Sequence, residues 1–210
     1  MHKSTLPGTL FVAFSVLLLG LLLSSSLAPI ARRECDGSNL FVFGFLVEYE
    51  KSVYTGGSNN STSLQIRLLP YKIAKNMKEK PLVRHYISDF PEGALRTCMI
   101  LYITLTCLCA LFALVSITTV VVDATTHLVI WNSFSYFRLF LLLGLTSVFL
   151  GRFVVVVVMA KRSQLYSGIG NECFAQTSGE VFMHSGFFVS LASLCISILA
   201  AVTLWNTRFH

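Results

Sequence analysis

Four long apolar runs, residues 9–30, 98–122, 137–160 and 181–205, constrain this chain more than any other feature. Each is near the roughly 20 residues that carry a helix across a hydrocarbon core of about 30 Å. Backbone in lipid must satisfy its own hydrogen bonds, and a helix does so within a single segment. Lipid, rather than one water-excluding core, therefore meets most of the hydrophobic demand. Only 12% of the 210 residues are charged, about half the share in a soluble domain. The pattern predicts an all-α membrane four-helix bundle with a small β-sheet ectodomain formed by the first loop.

That first loop, residues 31–97, holds most of the charged residues, ten basic against seven acidic, and so half of the formal net charge of +6. It reads as a local basic surface and not as a nucleic-acid footprint. Residues 39–49 (NLFVFGFLVEY) place Phe41, Phe43 and Phe45 at period two, which predicts one strand. Residues 62–69 alternate again and stop at Pro70, and the cluster at 55–61 between them is a turn signal. Residues 71–80 are basic and weakly helical, and 82–87 predicts a further strand. Asp89, Pro91 and Glu92 suit the start of the second span. The remaining segments are short: a cytosolic N-terminus at 1–8, a connector at 123–136, a second ectodomain loop at 161–180 and a cytosolic tail at 206–210.

Two readings stand for residues 9–30. A basic start, an apolar core and a Ser26-Leu27-Ala28 end describe a cleavable signal peptide. The length of the run favours an uncleaved first membrane helix. Orientation divides the signals as well. Arg32, Arg33, Lys161 and Arg162 lie close to helix ends, and counting them puts the long loop in the cytosol. Against this stand two overlapping glycosylation sequons at Asn59 and Asn60, in the most exposable part of the loop. The expectation is an exoplasmic loop with both termini cytosolic, in a multi-pass protein of the plasma membrane.

Few residues offer chemistry. Arg152 lies within the third run, about 12 Å from its C-terminal end at 1.5 Å per residue. An ionisable residue at that depth is a functional candidate. The plainer expectation is that it snorkels to the headgroups or reaches a carbonyl, with a partner's helix or a lipid as the alternative. Cys107 and Cys109 have no neighbouring ligand set, so neither a metal nor another cofactor is expected. Cys35 and Cys173 fall in loops on one side and are the favoured disulfide pair, with Cys35–Cys98 open. Ser193, Ser197 and Ala201 recur every four residues and predict close helix packing. No spacing sets a nucleophile beside a base, which argues against an enzyme.

Phe43-Gly44-Phe45-Leu46 resembles the Gly-Leu-Trp or Gly-Leu-Phe signature of the claudin-like tetraspan superfamily. Glu92-Gly93-Ala94-Leu95-Arg96 is similar to the Leu/Ala/Arg entry into the second helix of claudins. The superfamily includes claudins, the peripheral myelin protein 22 type, channel-regulating gamma subunits, LHFPL proteins and clarins, and clarins look nearest. The chain departs from claudins in having no close cysteine pair after Gly44 and no Trp in the loop that follows the first span. This weighs against a paracellular barrier. The near absence of cytosolic sequence, the lack of a catalytic set and the loop-dominated surface favour a non-enzymatic accessory subunit that binds a larger membrane protein, a channel or receptor complex, with Phe43, Phe45 and Arg152 as candidate contacts. An adhesion protein that associates with its own copies is the alternative, and a small transporter or lipid-handling protein built around Arg152 is the second.

Overall fold

The computed structural model describes residues 6–35, 38–50, 82–90, 92–126, 131–166 and 180–209. The sequons at Asn59 and Asn60, the strand expected at 62–69, the basic stretch at 71–80 and Cys173 lie outside them.

Helices α1 (Leu6–Leu27), α2 (Ala94–Thr126), α3 (Trp131–Lys161) and α4 (Ser185–Phe209) are each long and apolar enough to cross a membrane. Their polar side chains turn inward on the helix backbone. Ser15, Thr104, Ser147 and Thr203 each donate to the carbonyl four residues back, at 2.8–2.9 Å. A hydroxyl bonded in this way can sit in lipid without an orphaned donor. Helix α1 packs on α2 and α4, and α3 packs on the same two, closing a four-membered ring. The stripe of Ser193, Ser197 and Ala201 is buried inside this bundle. Thr146 on α3 donates to the Ser197 carbonyl at 3.3 Å, across the close approach that small residues allow.

The strands β1 (Ala31–Cys35), β2 (Ser38–Val42), β3 (Leu46–Glu50), β4 (Leu82–Tyr86) and β5 (Glu180–Met183) form one antiparallel sheet in the order β4-β3-β2-β1-β5. Two expectations are corrected here. Residues 39–49 are not one strand, because the chain reverses at Gly44-Phe45 and Phe43 N–H donates to the Leu46 carbonyl at 2.9 Å. The fourth run is not helical from residue 181, because Glu180–Met183 joins the sheet and α4 begins at Ser185. The sheet is thus not built from the first loop alone. The strand expected at 82–87 is present as β4. Asp89 does not open α2; it sits in a short 3₁₀ turn and accepts the Tyr86 N–H at 2.8 Å.

Cross-strand partners share a face, so register decides which side chains meet the helices. Ala31, Arg33, Leu40, Val42 and Val47 point into the core with Met99 and Met159 from the helices. The opposite face carries Arg32, Phe41, Glu48, Arg84 and Phe182. The inner set is therefore Leu40 and Val42, not the phenylalanines. A second apolar cluster lies deeper in the bundle, around Phe11, Leu18, Cys109, Leu142 and Phe149. Gly186 lets α4 start hard against the end of α1. Its N–H donates to the Pro29 carbonyl at 2.9 Å, and a Cβ there would meet the Ala28 carbonyl oxygen at 2.6 Å.

Candidate functional site

Arg152 is 1% exposed, so it does not snorkel. Its guanidinium turns into the bundle, where Nη2 donates to Ser25 Oγ on α1 at 2.7 Å and Nε donates to Thr106 Oγ1 on α2 at 3.0 Å. Nη2 also donates to the Tyr102 hydroxyl, and Ser26 Oγ lies 3.5 Å away. The Tyr102 ring takes the cation on its face, with the guanidinium carbon 4.6 Å from the ring centre. Three helices are tied together at one side chain.

The way this charge is tolerated follows from where the hydroxyl protons go. Ser25 and Ser26 donate to the Leu22 carbonyl at 2.9 and 2.8 Å, Thr106 to the Tyr102 carbonyl at 2.7 Å, and Tyr102 to the Ser25 carbonyl at 3.2 Å. With each proton committed to backbone, each oxygen presents lone pairs to the guanidinium. The cation is thus solvated by hydroxyls that are themselves polarised by carbonyls. Among the described residues the ion pairs are Arg32–Glu34 and Arg84–Glu48, both in the sheet, and no carboxylate reaches Arg152. The arrangement joins helices, with the guanidinium buried among them.

Above this hub sits the β2–β3 turn. Gly44 is buried directly against the Tyr102 ring, and a Cβ at that position would overlap the ring atoms Cε1, Cδ1 and Cζ. The glycine is required by space. Phe43 and Phe45 flank it, half-buried, at the rim of the sheet.

A second junction joins sheet to bundle. Arg33 on β1 is 2% exposed and donates from Nη2 to the Ala160 carbonyl, at 2.9 Å, in the last turn of α3. A cation at a helix C-terminus meets the negative end of the dipole and a carbonyl the helix leaves unpaired. The guanidinium also lies over the Tyr166 ring at 4.8 Å, and the Tyr166 hydroxyl donates to the Met159 carbonyl. Burial pushes the Tyr166 phenol above its ordinary value, which keeps it a neutral donor, although Arg33 beside it works the other way. Burial likewise pulls Arg33 down, with Tyr166 opposing. The Arg33 Nε finds no partner among the described residues.

The outer face of the sheet is polar and aromatic. Arg32 donates to Glu34 and Asn39 at 2.8 Å and lies 6.0 Å from the Phe182 ring centre. Glu48 accepts from Arg84 at 2.6 Å. Phe182 and Tyr86 are 46% and 49% exposed near the two edges.

Of the candidate site residues, Asn59, Asn60 and Cys173 lie outside the described residues, while Phe43 and Phe45 flank the turn that sits over the Arg152 hub. Cys35 ends β1 opposite Ser38, with its side chain outside the described set, and Cys98 is a free thiol, so the alternative Cys35–Cys98 bridge is not formed. Ser25, Tyr102, Thr106, Arg33 and Tyr166 were not anticipated. The Ser24-Ser25-Ser26 cluster inside an apolar run was the one available signal, since hydroxyls gathered there need partners. Compared with known proteins, the chain matches no family model and no curated protein.

Proposed function

We propose that this protein is a non-enzymatic four-span accessory subunit of the claudin-like type, which uses its sheet to bind a larger membrane protein at the plasma membrane. The partner would be a channel or receptor complex, and the consequence a change in its assembly, trafficking or gating. One observation carries the reading: the polar groups around Arg152 bond to one another, while the sheet presents exposed aromatic surface. The Arg152 donors go to Ser25, Tyr102 and Thr106, whereas Phe182 and Tyr86 stand exposed beside Arg32 and Arg84 on the outer face. Aromatic and arginine side chains of this kind are enriched at binding hot spots.

Affinity purification of the intact chain in mild detergent tests this. A stoichiometric larger membrane protein is expected, lost when Phe182→Ser and Tyr86→Ser are combined. Recovery of the chain only with copies of itself would favour the adhesion reading.

A further inference from the structure

The turn at Gly44, the ring of Tyr102 and the guanidinium of Arg152 lie in one line of contact, from the sheet into the bundle. Each link is close. Gly44 rests on the ring with no room for a methyl group. The hydroxyl of the same ring accepts from Arg152 and donates to the Ser25 carbonyl. Arg152 then holds Ser25 on α1 and Thr106 on α2. A displaced ring moves the hydroxyl, and a moved hydroxyl leaves the cation one partner short in a dry interior. There the cost of losing a partner is greatest.

We propose that Gly44, Tyr102 and Arg152 form a relay through which the seating of the β2–β3 turn sets how tightly α1, α2 and α3 close. Lifting or crowding the turn tilts the Tyr102 ring, releases Arg152 from α1 and opens the bundle below. Pulling the three helices apart loosens the turn in return, because coupling between two sites is reciprocal. The relay does not depend on which partner, if any, occupies the outer face. It gives the sheet a route to the membrane helices that a rigid platform lacks.

Cys109 reports on the lower end. It lies seven residues past Tyr102 on the same buried face of α2, about 10 Å further along, and is 0% exposed within the deep cluster. The experiment follows maleimide labelling of Cys109, read by mass spectrometry of its own peptide, in the intact purified chain with the free thiols Cys98, Cys107 and Cys195 replaced by Ser. Gly44→Ala is expected to speed labelling by roughly tenfold, the factor that 1.4 kcal/mol of lost closure would give. In an Arg152→Leu background, where the relay is already cut, the same Gly44→Ala change is expected to add less than twofold. Equal increments in the two backgrounds overturn the proposal, since a general loss of stability would act alike in both.

If Gly44→Ala does not accumulate, Tyr102→Phe carries the test. It leaves the ring under Gly44 and removes only the hydroxyl. Cys109 should label faster, and amide exchange in residues 42–47 should quicken as well. An unchanged rate at either end contradicts the relay.

Discussion

The guanidinium of Arg33, on the first strand, closes the C-terminal turn of α3 by donating to the Ala160 carbonyl at 2.9 Å. It makes the sheet and the bundle one packed unit through a residue that a sequence reader places in a solvent loop. Its neighbour Tyr166 closes the same turn through the Met159 carbonyl.

Replacing Arg33 by Met should lower the unfolding temperature in detergent. A hydrogen bond to a charged group contributes about 1.5–3 kcal/mol, and a guanidinium over a ring about 0.5–2 kcal/mol. The orphaned Nε offsets about 1–3 kcal/mol of that, which leaves a net loss of roughly 1–2 kcal/mol. Tyr166→Phe should cost about 0.5–1.5 kcal/mol. The double variant should lose less than the sum, because both side chains serve one helix end. Additive losses would separate the two contacts.

His184 should contribute an acid dependence to stability. Its backbone N–H donates to the Ile30 carbonyl at 3.0 Å, between β5 and α4, and its Nδ1 lies 3.1 Å from Ser185 Oγ. Burial and then the Arg32 charge pull its pKa below the ordinary histidine value. The unfolded chain therefore takes up the proton first, so the His184 contribution to stability is flat above about pH 6.5 and declines as pH falls below it. A His184→Gln variant should show a shallower decline between pH 7 and pH 5.5. Superimposable melting profiles of variant and wild type would remove His184 from the account.

The side of the membrane occupied by the sheet follows from whether Asn59 or Asn60 carries glycan. Treatment with an N-glycosidase should increase the mobility of the expressed protein, and the Asn59→Gln, Asn60→Gln double variant should show no shift. A wild-type protein that does not shift, with a tag at Gly57 reachable only from the cytosol, would invert the topology and place the sheet inside the cell.

The four helices were legible because lipid imposes a length and an apolar composition that local sequence must meet. The stripe of Ser193, Ser197 and Ala201 was legible for the same reason, since only small residues let α3 and α4 approach. The break at Gly44 was not. Phe41, Phe43 and Phe45 alternate as a strand should, and the residue that forces the turn into place, Tyr102, lies on another helix far along the chain. Strand β5 was hidden inside an apolar run: Val181, Phe182 and Met183 read equally well as helix until the pairing with β1 decides. The hub itself was half visible. Arg152 stood out as a charge, but its partners are hydroxyls, whose commitment to backbone carbonyls leaves no mark in the sequence.

That hub supplies the most direct test. If Arg152 serves the bundle through Ser25, Thr106 and Tyr102, shape matters more than charge. Burying a lone charge at a helix centre costs roughly 2.5–3.5 kcal/mol, and Arg152→Leu removes that cost along with the bonds. Arg152→Lys keeps the cost, yet a single ammonium cannot reach α1 and α2 together or lie flat on a ring. It should forfeit at least one charged hydrogen bond, about 1.5–3 kcal/mol. The measurement is the unfolding temperature of wild type, Arg152→Leu and Arg152→Lys in one detergent. The expected order is wild type highest, Leu lower and Lys lowest. A Lys variant as stable as wild type, with Leu alone impaired, would show that the charge serves a lipid or a partner and would contradict the clamp.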